Sequence, residues 1–388
     1  MTRRERVLAA FAHKEPDRTP LFEIFQPYQP IHWPICGRNI GTDAAMAWDA
    51  MADGVSAAEL VEAEAQAAFG VAKFFELDMV RLNPSSGGNY TRPVKLGEHE
   101  WERNGVRHVL NDRTKLVERA VAVADSDKVT EEDMRRKIES WDSPSATPAA
   151  RQDPVHARVR ELARAEGIDW VYMAEIGAGT AVAFYPPFML MWMLTEPNLF
   201  SKWIERQKTA AINRTRQLVG FGDEVVALGG DVSSDKGPFI SPATYREFIL
   251  PVIQEHVVAV HESGALAVYT SDGNHWAIKR ELFFDSGVDG YKEVDRAAGM
   301  TMDRLIEEGI DRQLCIIGNI DARHTLCRGT PSEARDEVID CLRKGQMTPG
   351  GHILHASHSV HEDVKPENYL AAVNAYREYF GMPGLSLR

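Results

Sequence analysis

Five short apolar runs in the second half of the chain end in polar, chemically capable residues, and each is followed by a helix-like stretch. They are Glu224–Asp231, Ala265–Asp272, Gly287–Val294, Leu314–Asp321 and His352–Ser359. A strand buried on both faces reads as a near-continuous apolar run, and alternation with helices implies βα units and a parallel sheet. Three earlier runs, Thr19–Phe25, Phe75–Leu82 and Asp169–Ile176, bring the count to eight. This pattern predicts an α/β fold, a (β/α)8 TIM barrel, whose active site gathers at the carboxyl ends of the strands. An open sheet of the same strand order is the alternative, because a strand count alone does not prove closure.

Helical periodicity fills the gaps at Ala44–Ala68, Pro154–Glu166, Pro197–Leu218, Pro242–Ser263, Ser332–Lys344 and Lys365–Tyr379. Ser241 before Pro242, and Thr330 before Pro331, have the chemistry of helix starts. At the N-terminus Thr2 and Glu5 fit a capping box, with Val7, Leu8 and Phe11 on one face. The interval 83–150 breaks the alternation. Val94–Leu96, Glu100–Arg103, Val106–Leu110 and Lys115–Arg119 read as short antiparallel strands around turns such as Asn104–Gly105, and Asp142–Ala150 reads as a loop. The expected organisation is therefore one barrel domain over 1–388 with an antiparallel β insertion after strand two, where catalytic-face loops tolerate additions.

The formal net charge of −13 argues against nucleic acid or an anionic membrane as a partner, since both require a basic face. Four cysteines, with no CxxC pair among them, suit a reduced, cytoplasmic protein. The first residues lack the continuous apolar core of a signal peptide, and no run approaches the ~18 apolar residues of a membrane span.

Candidate residues sit at the strand ends. Glu175 closes strand three, where it is a base, a ligand or the partner of a nearby cation. Asp231 follows two glycines that permit close approach, or it caps a loop. Ser271, Asp272 and Asn274 flank Gly273, in what is either a simple turn or part of a mouth. Glu293 is expected to face the mouth, with Lys292 on the opposite side in a structural role. Of Asn319 and Asp321, one is expected to cap a helix. His352, His355, His358 and His361 recur at every third position. His358 has the best placement for acid–base work or metal ligation. His355 is either mouth-lining or packed, while His352 and His361 read as surface residues. Phe25, Tyr28, Trp33, Phe184 and Tyr185 could hold an aromatic ring or form a packed lid. GAGTA at Gly177 lacks the third glycine of a dinucleotide fingerprint.

The opening RERVLAAFAHKEPDRTP, together with GPFISPATYREFILPVI, YTSDGN, GVDGYKEVDRAAGM, IIGNIDARHTLCRGTPSEA and GGHILHASHSVHEDVKPENYLAAV, resembles the uroporphyrinogen decarboxylase superfamily. The resemblance implies a (β/α)8 barrel, a site in its C-terminal mouth and a homodimer. It also implies one of two chemistries. The decarboxylases grip an octa-acidic tetrapyrrole with an arginine-bearing loop after strand one. Here that loop is IFQPYQPIHWPICGR, with only Arg38 nearby, and the loop after strand two is NPSSGG at Asn83–Gly88. His358 matches the family's late histidine. The other branch comprises corrinoid-dependent methyltransferases, whose thiol-methylating members hold zinc through a His-x-Cys pair and a late cysteine. That pair falls on Thr270 and Asp272, and strand eight offers no cysteine.

The expectation is a methyltransferase that moves a methyl group from a small methoxylated or methylated compound, an O-demethylation for example, to cobalamin carried by a corrinoid partner protein. His358, Asp231 and Glu293 would be catalytic, and Glu175, Ser271, Asn274, Asn319 and His355 would bind substrate. Zinc or another divalent metal would sit on Asp272, Asp231, Glu293 and His358, with a metal-free site as the alternative. Two other readings are a decarboxylase of a carboxylic acid and a non-catalytic corrinoid- or tetrapyrrole-binding protein.

Overall fold

Each of the eight expected strands contains a strand of the central sheet. They are β1 (Phe22–Glu23), β2 (Met79–Val80), β3 (Val171–Glu175), β4 (Val225–Gly229), β5 (Leu266–Thr270), β6 (Gly290–Lys292), β7 (Cys315–Ile317) and β8 (His352–Ile353). The computed structural model describes residues 1–26, 29–83, 90–120, 130–141, 152–176 and 188–387. All seven neighbouring pairs are parallel and follow chain order. Closure is decided by backbone contacts between the first and last strands. Leu21 bridges Leu354 in parallel, Phe22 N donates to Leu354 O at 3.1 Å, and Leu354 N donates to Pro20 O at 2.9 Å. The sheet is a barrel, and the open-sheet alternative falls.

Strand alternation sends one set of side chains inward. Phe22, Ile24, Met79, Val171, Met173, Val225, Ala227, Val268, Cys315, Ile317 and Ile353 fill the barrel. The first helix, Arg3–Phe11, has the expected capping box. It adds Val7, Ala10 and Phe11 to this core, plugging the end opposite the strands' carboxyl termini. Fully buried Asp78, just before β2, receives Arg6 at 2.6 Å and Arg18 at 2.8 Å and accepts Leu21 N at 2.9 Å. That pairing offsets the cost of burying the carboxylate and fixes β1 against β2. Outward-facing side chains of the strands pack under the surrounding helices in two larger apolar clusters.

Two helix expectations need correction. Ala44–Ala68 is two helices, Ala44–Asp53 and Ala57–Phe74, because Gly54 adopts a left-handed conformation (φ 99°) and Ser56 starts a new capping box. Pro242–Ser263 begins as expected at Ser241 but passes through a wide turn at Tyr245–Ile249. Pro251 there has no N–H to offer the regular ladder. The insertion holds the expected antiparallel sheet of Val94–Gly97, Glu100–Arg103, Val106–Leu110 and Val117–Arg119. Fully buried Trp101 seats it on the Ala44–Asp53 helix, with Trp48 and Met51. A further helix, Glu131–Glu139, was not expected, since its apolar stripe consists of Met134 and Ile138 alone. Asp142–Ala150 lies outside the described residues. Among the described residues no helix is long and apolar enough to cross a membrane.

Candidate active site

The mouth of the barrel is shaped by two close approaches of backbone. Gly229 ends β4 at φ 110°, and a methyl group there would lie 2.7 Å from the Tyr269 ring. Gly230 follows at φ 153°. Together they turn the chain so that Asp231 is exposed at the rim. Gly229→Ala should therefore cost about 1–3 kcal/mol in backbone strain, with the clash in addition. A lowered urea midpoint would confirm this, and an unchanged one would contradict it.

Gly273, at φ 89°, lets the loop after β5 pass close to Ser233, whose carbonyl oxygen a methyl group there would meet at 2.8 Å. Buried His275 locks the same junction: Nδ1 lies 2.8 Å from Ser233 Oγ and Nε2 lies 3.3 Å from Ser271 O. Burial lowers the pKa of His275 to about 4, although the Ser271 carbonyl favours the protonated ring, so the imidazole is neutral at physiological pH. It positions Asp231 and Asp272 relative to one another.

The charges of the mouth are organised around β6. Lys292 was expected to point away, but it is the fully buried partner of Glu293, with Nζ 2.6 Å from Oε1. Its register neighbour Ile317 lies in the barrel core, so alternation sends Lys292 inward. Glu293 also reaches the mouth because its backbone is left-handed (φ 64°). Its Oε2 accepts the Thr270 hydroxyl at 3.0 Å. Burial opposes ionisation of Glu293, but the charge and hydrogen bond of Lys292 outweigh it and bring the carboxyl to about 2.

That fixed negative charge acts on its neighbours. Asp272, half-buried, is raised to about 6 by burial and by the charges of Asp231, Glu293 and Asp295. Asp231 is also raised, by partial desolvation at the mouth and by Glu293, with His358 acting in the other direction. The structure thus brings Asp231, Asp272, Glu293 and His358 within electrostatic reach of one another, with His358 exposed at the rim.

Other expected residues serve as supports. Ser271 is fully buried, and its Oγ donates to Asp272 O at 3.0 Å. Asn274 Oδ1 accepts Trp276 N at 3.1 Å and so caps a turn. Asn319 is buried behind the wall, with Nδ2 on Met300 O at 3.0 Å and Oδ1 3.6 Å from Cys341 Sγ. Asp321 is the helix cap, accepting His324 N at 2.8 Å. His355 is fully buried against Phe22 and 3.0 Å from Glu23, which favours the packed reading. His352, expected at the surface, is also buried, with Nε2 2.8 Å from Gly318 O. Glu175 pairs with Arg81 at 2.8 Å. Phe25 stacks on Phe75, and Trp33 Nε1 donates to Thr42 O under the Arg38 guanidinium. These contacts support packing roles for both rings; Tyr28, Phe184 and Tyr185 lie outside the described residues.

Three participants escaped the sequence reading. Lys292 was discounted because regular strand alternation was carried through Glu293, whose backbone is left-handed. Arg81, at the end of β2, was passed over although its position matched that of Glu175 on β3. Arg323, 2.8 Å from Asp235 and 3.8 Å from Asp295, follows β7 and carried no local signal.

The donor set can be tested against the expected metal. No three ligand atoms of Asp231, Asp272, Glu293 and His358 lie within 4.8 Å of one another. Among the described residues the group that does is His361, Glu362 and Asp363 on the loop after β8. Thr270 and Asp272 supply no thiolate. The mouth as it stands does not fit a preformed zinc centre, and its chemistry is that of carboxyl groups.

A family model described as uroporphyrinogen decarboxylase (URO-D) matches residues 171–379. The uroporphyrinogen decarboxylase of Chlorobium phaeobacteroides is 32% identical over 145 residues, covering 36% of this chain and 38% of that protein. That of Chlorobaculum parvum is 26% identical over 191 residues, covering 48% and 51%. The chain therefore spans about half or less of the length of these curated relatives. A methyltransferase from Methanosarcina mazei has a similar fold, with a TM-score of 0.65 and 17% identity over 98% of this chain and 99% of that one.

Proposed function

Because the chain belongs to the uroporphyrinogen decarboxylase family, we propose that it is an enzyme of that family that transfers a methyl group from a small methylated compound to a corrinoid carried by a partner protein. The observation that carries this reading is the carboxyl of Asp272. Raised to about 6 at an acidic mouth, it can hold a proton near neutral pH and give it up within one turnover.

The same mouth is acidic, and most of its cations are already paired. Lys292 is taken by Glu293, Arg81 by Glu175, and Arg323 by Asp235 and Asp295. Arg328, which lines the same space as Asp272 and His358, is a cation left to meet an anionic group. The acidic field of the mouth favours a neutral or cationic donor.

In the proposed reaction the bond between the methyl carbon and its heteroatom breaks, and its electron pair stays on the heteroatom. Asp272 protonates that atom as the methyl group passes to the acceptor. A bound corrinoid would supply the nucleophile. Asp231 and His358, open at the rim, orient the donor and return the proton from solvent, and Glu293 adds to the field that raises the proton affinity of Asp272. The fold shared with the Methanosarcina mazei methyltransferase is compatible with this reading, which rests on the mouth residues.

The test supplies methyl-labelled ethers and amines with reduced cobalamin and follows the label. Label appearing on cobalamin, and lost in Asp272→Asn, is the expected result. Release of carbon dioxide from carboxylated substrates without label transfer would assign the decarboxylase chemistry instead.

A further inference from the structure

A cavity of about 210 Å³ lies beside the mouth, between β1 and β2 and the helices Gln29–Cys36, Ala44–Asp53 and Ala57–Phe74, with Leu116 of the insertion at its edge. Its walls are largely apolar, with Phe25, Trp48, Val71 and Leu82 among them. Into this lining β1 places a carboxylate. Glu23 is 3% exposed. Its Oε1 accepts the amide of Ile24 at 2.9 Å and lies 3.0 Å from His355 Nδ1, off the line of a hydrogen bond. Its Oε2 has no hydrogen-bond partner among the described residues.

Most other charges near the cavity are engaged. Arg81 is held by Glu175 and Asn83. Asp43 accepts Met46 N and pairs with Arg38 at 2.8 Å. Lys115, 3.8 Å from Asp112, is open to solvent. A buried carboxylate with a vacant oxygen is costly unless a donor meets it.

We propose that this cavity binds a small organic cation, a protonated amine on a compact apolar body. The ammonium N–H meets Glu23 Oε2 in a charge-assisted hydrogen bond, and the body fills the space between Phe25, Val71 and Leu82. An anion would face Glu23 unscreened, with Arg81 already held by Glu175, and with Lys115, open to solvent, left to receive it. The proposal is independent of methyl transfer, since the acids of the mouth take no part in it.

Benzylamine is the probe, titrated by calorimetry and by Trp48 fluorescence at a pH where the amine is protonated, with benzyl alcohol and benzoate alongside. Saturable binding of benzylamine is expected, at least tenfold weaker in Glu23→Gln and in the cavity-filling Ala68→Leu, and unchanged in the mouth variant Asp231→Asn. Should Glu23→Gln fail to fold, Ala68→Leu carries the comparison. No binding of benzylamine, equal binding by both cavity variants, tighter binding of benzoate, or loss of binding in Asp231→Asn would each overturn the proposal.

Discussion

Replacing Asp272 with asparagine is expected to lower turnover by about 10²–10⁴-fold, the usual contribution of a positioned general acid. The change keeps the shape of the side chain and removes its proton. The pH dependence gives the sharper reading. An acid must enter the reaction protonated, and burial with the charges of Asp231, Glu293 and Asp295 holds this carboxyl at about 6. The wild-type rate should therefore be steady below that pH and fall as pH rises through it, whereas Asp272→Asn should lack that limb. Stability follows the same sign. A carboxyl raised on folding binds its proton more tightly in the native state, so its contribution is present below the unfolded value and is lost as pH rises through about 6. The asparagine variant should then be at least as stable as the wild type at pH 8. A variant that is slow because it is poorly folded would show the reverse.

Lys292→Met is expected to have the largest effect on stability. The ammonium is fully buried and 2.6 Å from Glu293, whose side chain is only 17% exposed. Removing the cation leaves a carboxylate in the barrel with Thr270 as its remaining hydrogen-bond donor. Breaking one side of a buried pair costs about 3–5 kcal/mol, while removing both partners together can be nearly neutral. Lys292→Met should thus unfold at clearly lower denaturant, and Lys292→Met/Glu293→Gln should recover most of the loss. If the two variants were equally destabilised, the ion pair would not be the cause.

The fold was largely legible because most strands are short apolar runs that end in polar residues and most helices begin with a capping residue. The antiparallel insertion was also legible, through short strand-like runs around the Asn104–Gly105 turn. Closure was not, since it rests on backbone contacts between Leu21 and Leu354 that carry no side-chain signature. The site was legible only at the level of strand ends. Asp231, Asp272, Glu293 and His358 reach one mouth, but sequence position could not separate side chains facing that mouth from those turned into the wall. Asn319 and Ser271 close strands in the same manner and are consumed by Met300 and Asp272. Lys292 shows the converse. One left-handed residue at Glu293 brings two successive side chains to the mouth, where regular alternation admits one.

The central claim is that the mouth is an acid–base centre whose working proton sits on Asp272. Carbon-13 NMR of the protein labelled at aspartate carboxyls, titrated from acid to alkaline pH and assigned with Asp272→Asn, reads this directly and needs no substrate. The account predicts that Asp272 titrates near 6, and that Glu293→Gln brings it down by removing one of the charges that raise it. An Asp272 carboxyl that titrates at the ordinary aspartate value of about 3.9 would contradict the claim.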